Sequence, residues 1–137
     1  MQVVVDANPV ISILIKPNNA TVELMFLEDL EIFAPELLFD EIEQNKDIII
    51  KKSDMTNEEF NKFLSILKKR INVVPEGEFL KFRGKSGEIC PDEKDIAYFA
   101  LALHLKCPVW SNEKKLKNQN HVNVYATHEL IEMFEIK

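Results

Sequence analysis

Five carboxylates stand in this sequence where a packed domain would ordinarily place something else. Asp6 directly follows Val3, Val4 and Val5. If that run is a buried strand, the acid sits at its carboxyl end, where parallel sheets place their ligand crevice; it reads equally as a loop Asp capping the next helix. Glu41 lies three and four positions from Leu38 and Leu37, in an apolar stripe that runs on to Ile42 and Ile49, while Glu36, Asp40, Glu43 and Asp47 share the opposite face. An acid inside such a stripe must be paired, neutralised or bound to a cation, unless it sits at the stripe edge and reaches solvent. Asp92 and Asp95 precede a long apolar run at i, i+3 spacing. That puts both carboxylates near a helix N-terminus, although an Asp N-cap with a second acid at N3 is also an ordinary helix start. Finally, Pro108-Val109-Trp110 runs into Ser111-Asn112-Glu113, gathering a hydroxyl, an amide and an acid at a strand end, as a solvated loop also would.

Together these residues are more specific than any one of them. In a doubly wound sheet the carboxyl ends of the strands point to one edge, and Asp6, Asp92, Asp95 and Glu113 would converge there. So many carboxylates repel one another, and a divalent cation resolves the repulsion. All-oxygen ligands without His or Cys suit a hard ion, Mg²⁺ or Mn²⁺. Such an ion binds substrate phosphates and activates a water for in-line attack, so the reaction class is phosphodiester hydrolysis.

The elements that must position these groups can be read from periodicity. Short β-branched runs at 2–5, 31–34, 71–74, 108–110 and 122–125 alternate with helix-period segments, which predicts a mostly parallel five-strand sheet covered on both faces. Asn8-Pro9 reads as an N-cap and N1 proline. Thr56 with Glu59 forms a capping box that opens an amphipathic helix carrying Phe60, Phe63, Leu64 and Leu67. A helix is expected over 21–30, another from Glu36 onward, and a buried central one over 96–103. The stretch 76–88 holds Phe79, Leu80 and Phe82 but also Gly84 and Gly87, and is expected to be irregular or mobile.

The chain has 137 residues, 17 basic and 23 acidic, for a net charge of −6, and 46% are hydrophobic. No repeat or linker divides it, so residues 1–137 are expected to form one domain. The longest uncharged apolar run, 96–105, is too short to cross a bilayer, and Gln2 followed by Val3, Val4, Val5 and Asp6, without a basic stretch or small-residue cleavage site, argues against a signal peptide; a cytoplasmic protein without a membrane partner is expected. Cys90 and Cys107 have no metal-ligand spacing and read as free thiols. Gly84-Lys85-Ser86 lacks the earlier glycine of a P-loop, because Phe79 stands there. His128-Glu129 lacks the second His of a zinc protease helix, since Glu132 occupies its place; Thr127 as N-cap with Glu129 in the first turn explains it better. No dinucleotide loop or nucleophile triad is present. A receiver domain would need an Asp after the third strand and a Lys after the fifth, and neither 71–75 nor 125–128 supplies one.

The acidic segments also resemble those of PIN-domain ribonucleases, whose best-known members are the VapC toxins. Val3-Val4-Val5-Asp6-Ala7-Asn8 resembles the family's opening motif, and Pro35-Glu36-Leu37-Leu38-Phe39-Asp40-Glu41-Ile42 the segment of its second acid, at Glu41. Asp92-Glu93-Lys94-Asp95-Ile96-Ala97 resembles the start of its central helix, with Asp95 the closer match, and Trp110-Ser111-Asn112-Glu113 its last motif. The likeness spans residues 2–130 and lies in the order and spacing of the motifs. It implies an α/β protein with three α/β/α layers, a parallel sheet of order 3-2-1-4-5, one or two Mg²⁺ or Mn²⁺ ions, and endonucleolytic cleavage of RNA to leave a 5′-phosphate. Asp6 and Asp95 would be the main metal ligands, with Glu41 and Asp92 supporting the metals or their waters and Asn8 and Ser111 orienting the carboxylates. Glu113 stands where the family normally has Asp, one methylene longer, which would weaken a second metal site. PIN domains that have lost acids act as RNA-binding or scaffold modules, and a catalytically weak module is the second reading.

RNA would need cations near the acidic pocket. Lys114, Lys115 and Lys117 beside Glu113, with Lys81, Arg83 and Lys85, are the candidates. The resemblance further implies a homodimer and, for toxin members, a small antitoxin partner. Phe60 and Phe63 are candidates for that surface if both are exposed.

Overall fold

The computed structural model describes residues 1–137. Its centre is a five-stranded, all-parallel sheet of order β3-β2-β1-β4-β5, formed by β1 (Gln2–Val5), β2 (Glu31–Pro35), β3 (Asn72–Val74), β4 (Val109–Trp110) and β5 (Val124–Tyr125). This is the predicted strand count and order. β1 lies between β2 and β4, and Val3, Val4 and Val5 are all fully buried. A strand covered on both faces reads as a continuous apolar run rather than an alternating one.

Nine α-helices surround the sheet. α1 (Ala7–Ile15) starts two residues earlier than the Asn8-Pro9 signal predicts, because Asp6 takes the N-cap: its Oδ1 accepts from Ala7 N at 2.7 Å. Pro9 is tolerated in the first turn, where its absent N–H would have had no intrahelical partner. α2 (Asn19–Met25) is shorter than the expected 21–30. The Arg70 guanidinium donates to the carbonyls of Met25, at 2.7 Å, Leu27, at 2.6 Å, and Leu30, satisfying main-chain acceptors that a longer helix would have used.

The single helix expected from Glu36 is two, α3 (Leu37–Gln44) and α4 (Lys46–Ser53), broken at Asn45, whose Nδ2 donates to the Glu41 carbonyl at 2.7 Å. Leu38, Ile42 and Ile49 are buried as expected, but Leu37 is 38% exposed and leaves the stripe. α5 (Asn57–Arg70) carries the predicted capping box, with Thr56 Oγ1 accepting from Glu59 N at 3.1 Å and Glu59 Oε1 from Thr56 N at 3.0 Å. Phe60 points into the core and is fully buried, so it cannot belong to a docking surface; Phe63 is half-buried.

The stretch expected to be irregular is helical: α6 (Glu76–Phe79), a 3-10 turn and α7 (Arg83–Ile89). Neither Gly84 nor Gly87 adopts a positive φ. Packing outweighs their low propensity, because Phe79 is buried and the buried Ser86 hydroxyl donates to the Ile96 carbonyl at 2.6 Å, fastening α7 to the start of α8 (Ile96–Leu105). α8 is the buried central helix and packs on β1, β2 and β4. After β5, α9 (Thr127–Met133) begins with Ala126 rather than Thr127 at the N-cap, since the Thr127 hydroxyl instead accepts from Trp110 Nε1 at 2.9 Å. No helix is long and apolar enough to cross a membrane, and both cysteines are free.

Candidate active site

The register of β1 on β4 builds the centre of the site. Val5 pairs with Trp110, so the next residues, Asp6 and Ser111, come level at the carboxyl edge of the sheet. The backbone holds that level, with Asp6 N donating to the Trp110 carbonyl at 2.9 Å and Ser111 N to the Tyr125 carbonyl at 3.0 Å. The buried Ser111 hydroxyl donates to Asp6 Oδ2 at 2.8 Å and accepts from Glu113 N at 3.1 Å. Asp6 is therefore both a helix cap and a site residue, one oxygen serving each. Asn8 joins the same edge differently from expectation: its Oδ1 accepts from Asn112 N at 3.3 Å, tying α1 to the loop after β4 rather than to a carboxylate.

Glu41 reaches the site from α3. Its Oε1 accepts from the Tyr98 hydroxyl at 3.0 Å, and Tyr98 is buried on α8. Tyr98 is absent from the sequence-derived site, although the only hydroxyl in the apolar run 96–103, three residues beyond Asp95, was the signal available. Asp92 caps the 3-10 turn Glu93–Asp95, its Oδ1 accepting from Lys94 N at 3.1 Å. Asp95 is the N-cap residue of α8 but makes no capping bond, so its carboxyl is left for the cleft.

Asp6, Glu41, Asp92, Asp95 and Glu113 line one cleft of about 300 Å³ with Asn8, Lys94 and Lys115. All five predicted carboxylates are thus gathered. Burial, offset in part by the Ser111 hydrogen bond, raises the Asp6 carboxyl above its ordinary range. Burial, then the charge of Asp6 and the other acids, pushes Asp95 up to about 7. Glu41 is raised by burial against the opposing hydrogen bond from Tyr98. Asp92 moves the other way, held below its usual range by the Lys115 hydrogen bond. A cleft in which Asp6, Glu41 and Asp95 resist ionisation is one that a cation would relieve, and its oxygen-only donors suit a hard divalent ion. No three acidic, His or Cys side chains converge closely enough to hold one ion as the side chains now stand, so closure of a coordination shell would require rotamer changes in the cleft.

The predicted cationic residues divide. Lys115 is paired with Asp92, Nζ to Oδ2 at 2.8 Å, and Lys117 with Glu129. Lys114 makes no ion pair and lines a depression that shares Glu113 with the carboxylate cleft and includes Lys117 and His128. Arg83 is paired with Glu76 at 2.6 Å. It lines a separate depression with Glu36, Asp40, Glu93 and Lys94. Lys81 and Lys85 are exposed and line neither the cleft nor these two depressions. Lys94, which the sequence reading left out, lies in the cleft itself.

The sequence matches the PIN domain family over residues 4–130. No curated protein matches the chain. Among solved structures, the fold is similar to a chain in the crystal structure of VapBC2 from Rickettsia felis bound to a DNA fragment from their promoter. The TM-score is 0.67 at 12% identity, covering 92% of this chain and 98% of that one.

Proposed function

This chain belongs to the PIN-domain family, and on that premise we propose that it is an endoribonuclease dependent on Mg²⁺ or Mn²⁺ and the toxin of a toxin–antitoxin pair. The observation that carries the reading is the level placement of Asp6 and Ser111 at the sheet edge, in a cleft with Asp95, Glu41, Asp92 and Glu113. Asp6 and Asp95 would hold the principal ion, with Asp92 and Glu113 at its margin. When bound, a divalent ion there supplies Lewis-acid polarisation of a phosphoryl oxygen and a more acidic water. The chain's own groups do the positioning. Ser111 fixes the Asp6 carboxylate. Tyr98 occupies Glu41 Oε1 and leaves Oε2 to accept a proton from the attacking water. Lys114 contacts the RNA backbone beside the cleft.

The test is cleavage of a mixed RNA pool by the purified chain with Mn²⁺ or Mg²⁺, against chelator and against Asp6→Asn. Metal-dependent cutting that is lost in the variant supports the nuclease. RNA binding without turnover, with either metal, supports the second reading, a catalytically weak RNA-binding module, which draws on the splayed carboxylates and the exposed, longer Glu113. The toxin assignment adds a small protein antitoxin, a homodimer and a cytoplasmic location. A gene for a short DNA-binding protein beside this one, co-purification of its product and a doubled mass in solution are the outcomes expected.

A further inference from the structure

The cleft carries five carboxylates against two lysines, Lys94 and Lys115. Only one of the five acids is in a direct ion pair, Asp92 with Lys115 at 2.8 Å. The two partners come from different elements of the cleft lining: Asp92 from the approach to α8, and Lys115 from the 3-10 turn Lys114–Lys117 that follows β4. Their link therefore ties two separate segments of the cleft together. It is also easily broken, because the Lys115 side chain is 50% exposed and exposed pairs contribute little net free energy.

We infer that Lys115 is the resident counter-ion of the free protein and becomes a ligand of the substrate phosphate once a divalent cation takes over Asp92 and its neighbours. The inference rests on the ribonuclease reading above. A cation bound there would neutralise the acids and leave the ammonium unpaired, and its flexible four-carbon stem lets it turn to an anion in the same cleft. A phosphodiester placed against this cleft needs such a charge, since the lining acids otherwise outnumber the bases. The exchange is a linkage: metal binding releases Lys115 for RNA, and RNA that captures Lys115 releases Asp92 for metal.

The experiment measures Mn²⁺ binding calorimetrically without RNA, and cleavage of an RNA oligonucleotide, for the full chain and Lys115→Met. The variant is expected to bind Mn²⁺ about two- to fivefold more tightly, the scale of one exposed ion pair, while its KM for RNA rises by a similar factor. A second arm measures RNA affinity in chelator for Asp92→Asn alone and in the Lys115→Met background. The gain from Asp92→Asn is expected to disappear when Lys115 is absent, as coupled residues require. Unchanged or weaker Mn²⁺ binding by Lys115→Met overturns the counter-ion role. An undiminished gain from Asp92→Asn in the double variant overturns the phosphate role. A wild-type chain that binds Mn²⁺ but neither binds nor cuts RNA sinks the ribonuclease reading and this inference with it, whereas one that cuts RNA while Lys115→Met behaves identically overturns this inference alone.

Discussion

Ser111 satisfies two groups with one buried oxygen, donating to Asp6 and accepting from the amide of Glu113. Ser111→Ala would leave both unpaired, and a buried polar group without a partner costs about 1–3 kcal/mol. The variant should melt several degrees lower, by about 4 °C per kcal/mol for a chain between the small and mid-sized domain ranges, and bind Mn²⁺ more weakly because Asp6 loses its anchor; melting and metal affinity both at wild-type level would show that Ser111 positions nothing. Asp95 gives the pH dependence. Its carboxyl is pushed up to about 7 by burial and then by the neighbouring acids, against an ordinary value near 3.8 in the unfolded chain. Between those values the folded state holds a proton that the unfolded state has released, so this group's contribution to stability falls as pH rises through the window and is fully lost above about 7. In chelator the melting temperature should therefore drop from pH 5 toward pH 7.5. Divalent ion should recover it, and more at pH 7.5, where no proton need leave. A chelated protein that gains stability across that window would contradict the assignment.

At the scale of elements, the site is held by ties between them, and those ties explain what the sequence disclosed. β1 and its acid were legible because a strand buried on both faces must be apolar throughout, which makes Asp6 stand out at its end. Glu41 was legible for the same reason in a helix. The bond that orients it was not, because Tyr98 lies 57 residues away and no periodicity links α3 to α8. β5 shrank from the expected 122–125 to two residues, since Gln119 pairs the main chain around Leu116 and Val122 through its own amide. The segment 76–88 misled because its glycines argued against helix, whereas the deciding contacts, buried Phe79 and Ser86 against α8, are tertiary. Tyr98→Phe tests the tie between the layers. It removes one neutral donor to a carboxylate, costing about 1.5–3 kcal/mol, and frees Glu41 to turn. RNA cleavage should lose kcat with KM nearly unchanged, because Tyr98 touches no substrate; a change confined to KM would show that the hydroxyl meets RNA directly.

The whole molecule carries a net charge of −6, so it has no general attraction for a polyanion, and on the ribonuclease reading the approach of RNA must be decided by local asymmetry around the cleft. That asymmetry is present. On one flank, beyond Glu113, the adjoining depression is lined by Lys114, which makes no ion pair, by His128, and by Lys117, which is paired with Glu129. On the other, Arg83 and Lys94 face Glu36, Asp40, Glu76 and Glu93, and Arg83 is already committed to Glu76. A strand crossing the sheet edge would thus be held on the β4–β5 side and repelled on the α6–α7 side, which divides the six cations named from the sequence into unequal groups. Lys114→Ala should weaken RNA binding about equally for different sequences, because a phosphate contact carries no base information. It should also flatten the logarithmic salt dependence by about 0.7, the single-strand value for one lost contact. Arg83→Ala and Lys85→Ala should leave both quantities unchanged. Replacing Glu36 or Glu93 by Lys should instead tighten binding by extending the favourable field across the edge. Affinities measured at several salt concentrations for these variants decide the matter: a larger loss from Arg83→Ala than from Lys114→Ala would reverse the direction in which RNA leaves the cleft.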